Sequence, residues 1–120
     1  MTDAYPIFLR ALTALDVPDP VPEFRFHHPG QGERQRRWRA DYYWDHCPAL
    51  GGPLIVEVEG GAAKGGGHNR IAGFRNDMEK YRQMTIQGIW LLRYMPEQLL
   101  TIAVPQLAAL WEGADDDNTR

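Results

Sequence analysis

The chain has a single cysteine, no long apolar run and no basic segment at its N-terminus. Cys47 has no second cysteine with which to form an internal disulfide, which agrees with a reducing compartment. No stretch approaches the roughly 18 apolar residues of a membrane span, and Asp3 stands where a signal peptide would be basic. We therefore expect a cytoplasmic protein with no membrane partner.

The composition is that of one globular domain. A chain of 120 residues can bury one modest hydrophobic core but not two. With 43% hydrophobic and 24% charged residues, it is neither disordered nor fibrous. We expect a single domain over residues 1–111, followed by a disordered acidic tail over residues 112–120.

The negative charge is concentrated in that tail. The formal net charge is −3, and residues 112–120 carry all of it, so that residues 1–111 are neutral. Between Arg25 and Arg93 the basic residues exceed the acidic ones by four. Local basic density matters more than the whole-chain sum for phosphate binding, although an arginine cluster can also be an ordinary solvated strand edge. The candidate nucleic-acid contacts are Arg34, Arg36, Arg37, Arg39, Lys64 and Arg70.

Hydrophobic periodicity predicts an α-β-β-β-α-β-α order of elements. Helices show apolar stripes at helical spacing, and strands alternate apolar and polar residues. The predicted elements are a helix over 6–15, strands over 23–27, 37–44 and 54–59, a helix over 73–87 stopped by Gly88, a strand over 89–94 and a helical region over 96–111 broken at Pro105. This order indicates an α/β fold in which helices flank a mixed central sheet.

The same periodicity predicts which side chains face inward. In the strand over 37–44, one face is expected to hold Trp38, Ala40, Tyr42 and Trp44. In the helix over 73–87, the inward set is expected to be Phe74, Met78, Tyr81 and Thr85. The strand over 89–94 is mostly apolar, which predicts a central position in the sheet.

Two glutamates separated by one residue are the most informative feature of the chain. Glu57 and Glu59 share one face of a short strand whose other face is apolar. Buried carboxylates are costly unless they are paired or bound to metal. Asp41 on the preceding strand supplies a third carboxylate. The three carboxylates together suggest a divalent-metal site. The alternatives are that the two glutamates are solvated on an open sheet face, and that Asp41, which Arg37 and Arg39 flank, is a cross-strand salt-bridge partner.

Five segments in order resemble the PD-(D/E)xK nuclease superfamily, and most closely small phage and prophage endonucleases. They are an Arg-x-Trp-Arg-x-Asp strand, a Val-Glu-Val-Glu-Gly-Gly strand, a Gly/His loop, a Gly-Phe-x-x-Asp-x-Glu-Lys-Tyr helix and a Leu-Arg-Tyr strand, at residues 36–41, 56–61, 65–68, 73–81 and 92–94. The resemblance spans residues 23–94. It implies a restriction-endonuclease-like α-β-β-β-α-β core.

The resemblance also implies roles for single residues. Asp41 and Glu57 would bind Mg²⁺, with Mn²⁺ able to substitute. Glu59 stands where the family motif usually has lysine, and would act as general base or as ligand of a second metal. The cation would then come from elsewhere. The remaining candidates are Lys64 or Lys80 as displaced lysine, His68 for phosphate contact or proton transfer, and Glu23 as an additional metal ligand.

The resemblance therefore predicts a Mg²⁺-dependent DNA endonuclease of bacteriophage origin, working in the host cytoplasm. We favour a structure-selective enzyme similar to archaeal-type Holliday-junction resolvases, which acts on branched DNA as a homodimer. An apolar segment over residues 99–111 is richer than one helix face needs, and could pack a partner subunit. The alternatives are a monomeric nicking endonuclease similar to the very-short-patch repair family and a nucleic-acid-binding module with a decayed metal site. A zinc site from His46, Cys47 and His68 is a weaker idea.

Overall fold

The computed structural model describes residues 4–27, 37–60 and 70–113, which form a four-stranded mixed sheet covered by helices. The strands lie in the order β1-β2-β3-β4, with β1–β2 and β2–β3 antiparallel and β3–β4 parallel. The elements are α1 (Ala4–Ala14), β1 (Val21–His27), β2 (Arg37–Cys47), β3 (Gly52–Val58), α2 (Arg70–Ile86), β4 (Trp90–Tyr94), a 3₁₀ turn (Pro96–Gln98), a π-helical turn (Leu99–Ala103) and α3 (Val104–Trp111). The predicted mixed α/β class and element order are confirmed. The predicted tail over residues 112–120 lies mostly outside the described residues.

The predicted central position of β4 is wrong. Within the described part of the sheet, β4 pairs with β3 alone and forms an edge. Helix α2 carries the chain back so that β4 runs parallel to β3, as crossover helices do. An edge position explains why Trp90 is half-exposed although its strand is mostly apolar.

One face of the sheet is covered by α1, the π-helical turn and α3. Phe8 and Leu12 from α1 and Leu107 from α3 are fully buried against β2 and β3. The Trp44 and Trp111 rings meet at 5.3 Å between centroids. Most of the apolar C-terminal segment therefore packs into this core, which leaves only its exposed apolar residues for contact with a partner subunit. Those are Leu100 and Ile102.

Helix α2 covers the other face, but in a different rotation from the predicted one. Met78 is 45% exposed and Thr85 is exposed, whereas Lys80 and Met84 are buried. Tyr81 is half-buried and faces inward as predicted, and the Phe74 side chain lies outside the described residues. The apolar pattern of this helix is weak, so the contacts of its polar residues decide its rotation.

The end of α2 is set by Gly88, as predicted. Gly88 has a φ of 77°, in the left-handed region that favours glycine. Its amide donates to the Thr85 carbonyl at 3.0 Å, and the Ile89 amide donates to the Met84 carbonyl at 2.8 Å. This is the Schellman pattern, which satisfies carbonyls of the last helical turn.

The break at Pro105 takes the form of a change in helix type. The Val104 amide donates to the Leu99 carbonyl, which closes the five-residue π-helical turn. Pro105 then lies in the first turn of α3, where a missing amide hydrogen costs nothing. None of the described helices is long and apolar enough to cross a membrane.

Strand β2 changes its facing at Asp41, against the regular alternation that we predicted. Trp38 and Ala40 pack on the α2 side of the sheet, whereas Tyr42 packs on the α1/α3 side. Opposite Asp41, the register of β1 skips Glu23, which has a φ of 51°. Both strands therefore kink together at this pair, and the Asp41 side chain leaves the ordinary strand alternation.

We predict that Leu107→Ala lowers the free energy of unfolding by about 2–5 kcal/mol, because it leaves a cavity in a fully buried site. Urea titration followed by far-UV circular dichroism measures the change. The matched control is Leu100→Ala, which removes the same atoms from a side chain that is 43% exposed and should change stability by no more than ~0.5 kcal/mol. Equal losses in both variants would contradict this packing.

Candidate functional site

The candidate site lies where β2 and β3 separate. Tyr42 pairs with Val56 across the two strands, so one further step in the register brings Asp41 beside Glu57. Helix α2 crosses over this point, and β4 runs along the other side of β3 with Arg93 next to Glu57. Three strands and one helix thus deliver charged side chains to one place.

Glu57 and Lys80 form a buried ion pair at the centre of the site. Their exposures are 7% and 8%, and Lys80 Nζ donates to Glu57 Oε2. Lys80 also donates to the Arg39 carbonyl at 3.1 Å. Burying either charge alone would be strongly unfavourable, so each one makes the position of the other tolerable. Lys80, one of the two candidates for a displaced lysine, is thus brought to the glutamate, and the other candidate, Lys64, lies outside the described residues.

Tyr81 completes the hydrogen bonding of Glu57. Its hydroxyl donates to Glu57 Oε1 at 3.1 Å, so that both carboxylate oxygens have a protein donor. Burial, followed by the negative charge of Glu57, raises the pKa of Tyr81 well above its usual range. The tyrosine therefore stays protonated and remains a donor.

Asp41 bonds to the backbone of the neighbouring strand. The Val58 amide donates to Asp41 Oδ2 at 2.7 Å, beyond the point where the β2–β3 ladder ends. The Asp41 carboxylate accepts the hydrogen bond that a backbone carbonyl of β2 would accept in a regular ladder. The Val58 amide therefore keeps an acceptor where the ladder is interrupted. None of the described residues donates to the second oxygen, Oδ1. Asp41 is half-buried.

Glu59 is paired with Arg93 instead of lying beside the other two acids. Arg93 Nε donates to Glu59 Oε2 at 2.8 Å, and both side chains are partly exposed. The hydrogen bond from Arg93 lowers the pKa of Glu59 below its ordinary value, and the same contact raises the pKa of Arg93. The Arg93 guanidinium carbon lies 4.9 Å from the centre of the Tyr81 ring. Tyr81 therefore links the two ion pairs.

The three predicted metal ligands are not assembled as a set. In the described part of the chain, no three Asp, Glu, His or Cys side chains lie close enough together to hold a metal ion. Asp41 and Glu57 are brought together, but Glu59 is engaged by Arg93. Glu23 lies opposite Asp41 on β1 and is exposed, without joining the two acids.

The predicted nucleic-acid contacts are only partly described. Arg39 is exposed and pairs across the strands with Arg25, which is also exposed. Like charges directly opposite one another are unfavourable, so this pair is a place where an anion would be stabilising. The remaining predicted residues lie outside the described residues or have side chains outside them: Arg34, Arg36, Arg37, Lys64, Arg70 and His68.

The geometry does not favour a zinc site. Cys47 is fully buried, whereas the preceding His46 is exposed, so the two side chains do not converge. Burial raises the pKa of the Cys47 thiol, which opposes formation of the thiolate that zinc requires. The third candidate, His68, lies outside the described residues.

Two residues of the site were not assigned a role from the sequence. Tyr81 follows Lys80 directly, and Arg93 lies in the Leu-Arg-Tyr strand. Both residues belong to segments that carry the resemblance, but neither was given a role in the site. The available signal was charge balance: two glutamates on a short strand need two cations, and helix and strand each offer one.

Neither the family models, nor the curated proteins, nor the solved structures contain a significant match to this chain.

We predict that Lys80→Met destabilises the fold by about 3–5 kcal/mol, because it leaves Glu57 buried without its counter-charge. The double change Glu57→Met with Lys80→Met should recover much of this loss, since no buried charge then remains. Urea unfolding measures both, with Arg82→Met on the exposed face of α2 as a control near zero. A double variant no more stable than Lys80→Met would contradict the pairing.

We also predict that the pKa of Glu59 rises toward its ordinary value when Arg93 is replaced by Gln. The folded-state pKa is lowered, so this pair stabilises the fold above the unfolded-state pKa and loses that effect as the pH falls through the folded value. Carbon-detected NMR titration of the Glu59 carboxylate measures the change. The control Arg82→Gln should leave the Glu59 titration unaltered, and an unshifted Glu59 in Arg93→Gln would exclude the pair in solution.

Proposed function

We propose that this protein is a Mg²⁺-dependent DNA endonuclease of PD-(D/E)xK type whose lysine is supplied by helix α2. The observation that carries the proposal is the position of Lys80 against Glu57. The motif strand has Glu59 where lysine is usual. Lys80 instead places an ammonium group at the Glu57 carboxylate, and it does so from helix α2 and not from the strand. In this proposal Lys80 takes the role of the motif lysine that the strand lacks.

The arrangement of elements supports this proposal. The sheet order β1-β2-β3-β4, with an antiparallel meander followed by a parallel β4 after α2, agrees with a restriction-endonuclease-like core. Asp41 lies on β2 and Glu57 on β3, two successive strands, as the resemblance implies. Fold alone does not determine activity, so the proposal rests on the site.

Two carboxylates fit the needs of magnesium. Mg²⁺ uses oxygen ligands, keeps several waters and is commonly held by one or two carboxylates together with substrate phosphates. Asp41 Oδ1 has no described donor, and each oxygen of Glu57 keeps a second lone pair beyond its single hydrogen bond. When bound there, Mg²⁺ or Mn²⁺ would polarise the scissile phosphate and lower the pKa of a coordinated water.

Lys80 has one donor left for the reaction. An ammonium group carries three N–H bonds, and those to Glu57 and to the Arg39 carbonyl use two of them. The third is available to a phosphate oxygen or to the attacking water. Held from two sides and buried, Lys80 offers this donor without having to be reoriented, which is the condition for effective electrostatic stabilisation.

Within this class we propose a structure-selective enzyme that acts on branched DNA as a homodimer in the cytoplasm of a phage-infected cell. A domain of this size has little surface with which to read a long sequence, which leaves DNA shape as the determinant. Two coordinated nicks in a four-way junction follow from two-fold symmetry. A monomer in solution would instead favour the nicking enzyme similar to the very-short-patch repair family, and analytical ultracentrifugation distinguishes the two.

A second candidate function is DNA binding without cleavage. It is favoured by the engagement of all three acids: Asp41 accepts from Val58, Glu57 from Lys80 and Tyr81, and Glu59 from Arg93. Such a protein would bind DNA equally well with and without Mg²⁺. It would use the ion pairs only to hold the sheet and α2 together.

The test is cleavage of a labelled four-way junction and of a linear duplex of equal length, each with Mg²⁺. We expect paired symmetric nicks in the junction. Glu57→Gln should abolish cleavage; its amide oxygen can accept from Lys80 and its amino group can donate to the Tyr81 oxygen, but Lys80 loses its counter-charge, so the stability of this variant is measured alongside its rate. Lys80→Gln should slow cleavage by about 10²–10³-fold, the usual cost of one electrostatic donor. Asp41→Asn should resemble Glu57→Gln.

The control is Glu97→Gln, which neutralises an exposed carboxylate in the 3₁₀ turn and should cleave at the wild-type rate. Circular dichroism verifies that each variant is folded before its rate is compared. Equal cleavage of junction and duplex would retain the nuclease but remove the junction preference. Binding without cleavage by the wild-type protein, in Mg²⁺ and in Mn²⁺ alike, would establish the second candidate instead.

A further inference from the structure

We infer that Arg93 binds a backbone phosphate of DNA next to the phosphate at the Asp41–Glu57–Lys80 site, with Glu59 and Tyr81 as the residues that position it. This inference rests on the proposed function, because it assigns the neighbouring substrate contact of the same site. It also gives Glu59 a role different from that of a metal ligand.

The sheet register places Arg93 beside the site. Arg93 on β4 is paired with Glu57 on β3, and the two strands are parallel. Paired residues of adjacent parallel strands point to the same face of the sheet, with the strands roughly 4.8 Å apart. A DNA strand whose phosphate lies at Glu57 and Lys80 therefore passes within reach of the Arg93 guanidinium.

The guanidinium keeps unused donors. Arg93 Nε is bonded to Glu59, whereas no described residue accepts from its two terminal amino groups. The side chain is 45% exposed. The paired N–H bonds of its terminal amino groups match the spacing of two phosphate oxygens, which makes arginine well suited to phosphate recognition.

The orientation of the guanidinium is fixed from two directions. Its carbon lies 4.9 Å from the centre of the Tyr81 ring, and its Nε is held by Glu59 at 2.8 Å. An arginine held in this way loses less conformational freedom on binding a phosphate than a free surface arginine does. An isolated surface ion pair contributes little to the stability of the fold. The larger effect that we assign to the Glu59–Arg93 pair is therefore the orientation of Arg93 for a phosphate.

Tyr81 makes this contact continuous with the cleavage site. The same side chain donates to Glu57 through its hydroxyl and supports Arg93 through its ring. Lys80 Nζ lies 5.9 Å from the centre of that ring. The two cations are thus spaced around one aromatic side chain, and two neighbouring phosphates of one strand would be held at a set distance.

The test measures DNA affinity as a function of salt in EDTA, where cleavage cannot complicate binding. Fluorescence anisotropy with a labelled four-way junction and a duplex gives the slope of log K against log salt. Arg93→Gln should reduce the magnitude of that slope by about 0.9, the value for one lost phosphate contact, and weaken binding about tenfold at 50 mM salt. The matched control, Arg82→Gln, removes the same charge from the outer face of α2 and should change neither quantity.

Arg93→Lys keeps the charge but loses the paired donors, and so provides a second variant if Arg93→Gln does not fold. We expect an unchanged slope and a several-fold loss of affinity. The inference would be overturned if Arg93→Gln had the same slope and affinity as Arg82→Gln. It would also be overturned if Arg93→Lys bound with wild-type affinity. A wild-type protein that binds no DNA would overturn it as well.

The two proposals fail separately. If the wild-type protein cleaves the junction while Arg93→Gln binds like the Arg82→Gln control, the nuclease stands and the role of Arg93 is lost. If no substrate is cleaved but Arg93→Gln lowers the salt slope, the phosphate contact stands and the nuclease is lost.

Discussion

The buried ion pair between Glu57 and Lys80 is the interaction on which the rest of the molecule depends. Burying a glutamate near the end of a covered strand is costly without a partner, and the lysine that pairs with it comes from the helix that covers the strand. The pair therefore sets the rotation of α2, which exposes Met78 and buries Met84. It also places Tyr81 of α2 in contact with the side chains of both Glu57 and Arg93.

Local signals predicted the elements well because each one follows from short-range chemistry. Alternation around Val56 identified β3, and Gly88 identified the end of α2 through a backbone conformation that other residues rarely adopt. Proline at position 105 marked a helix irregularity, although not its π-helical form. The position of β4 within the sheet could not be predicted from local signals. It depends on strand order, which local hydrophobicity does not encode.

The candidate site was predictable in three of its residues, but not in Tyr81 and Arg93 and not in its pairings. Asp41, Glu57 and Lys80 were singled out from the sequence, and the structure brings them to one place. The partner of Glu59 was missed because an ion pair between residues 34 positions apart requires knowledge of the sheet register. The facing of Asp41 was missed for a related reason: alternation assumes a regular strand, and the kink opposite Glu23 breaks it. Of these two misses, only the facing of Asp41 is a departure from regular geometry, and it falls at the candidate site.

The kink at Glu23 and Asp41 has a consequence for self-association. Strand β1 is one edge of the sheet in the described structure, and an edge strand offers open backbone groups on which another chain can align. Pro22 lacks an amide hydrogen, and Glu23 leaves the extended conformation directly after it. The outer ladder is therefore interrupted in the first half of β1. The geometry that turns Asp41 toward the end of β3 thus also protects the sheet from growing by strand addition along β1.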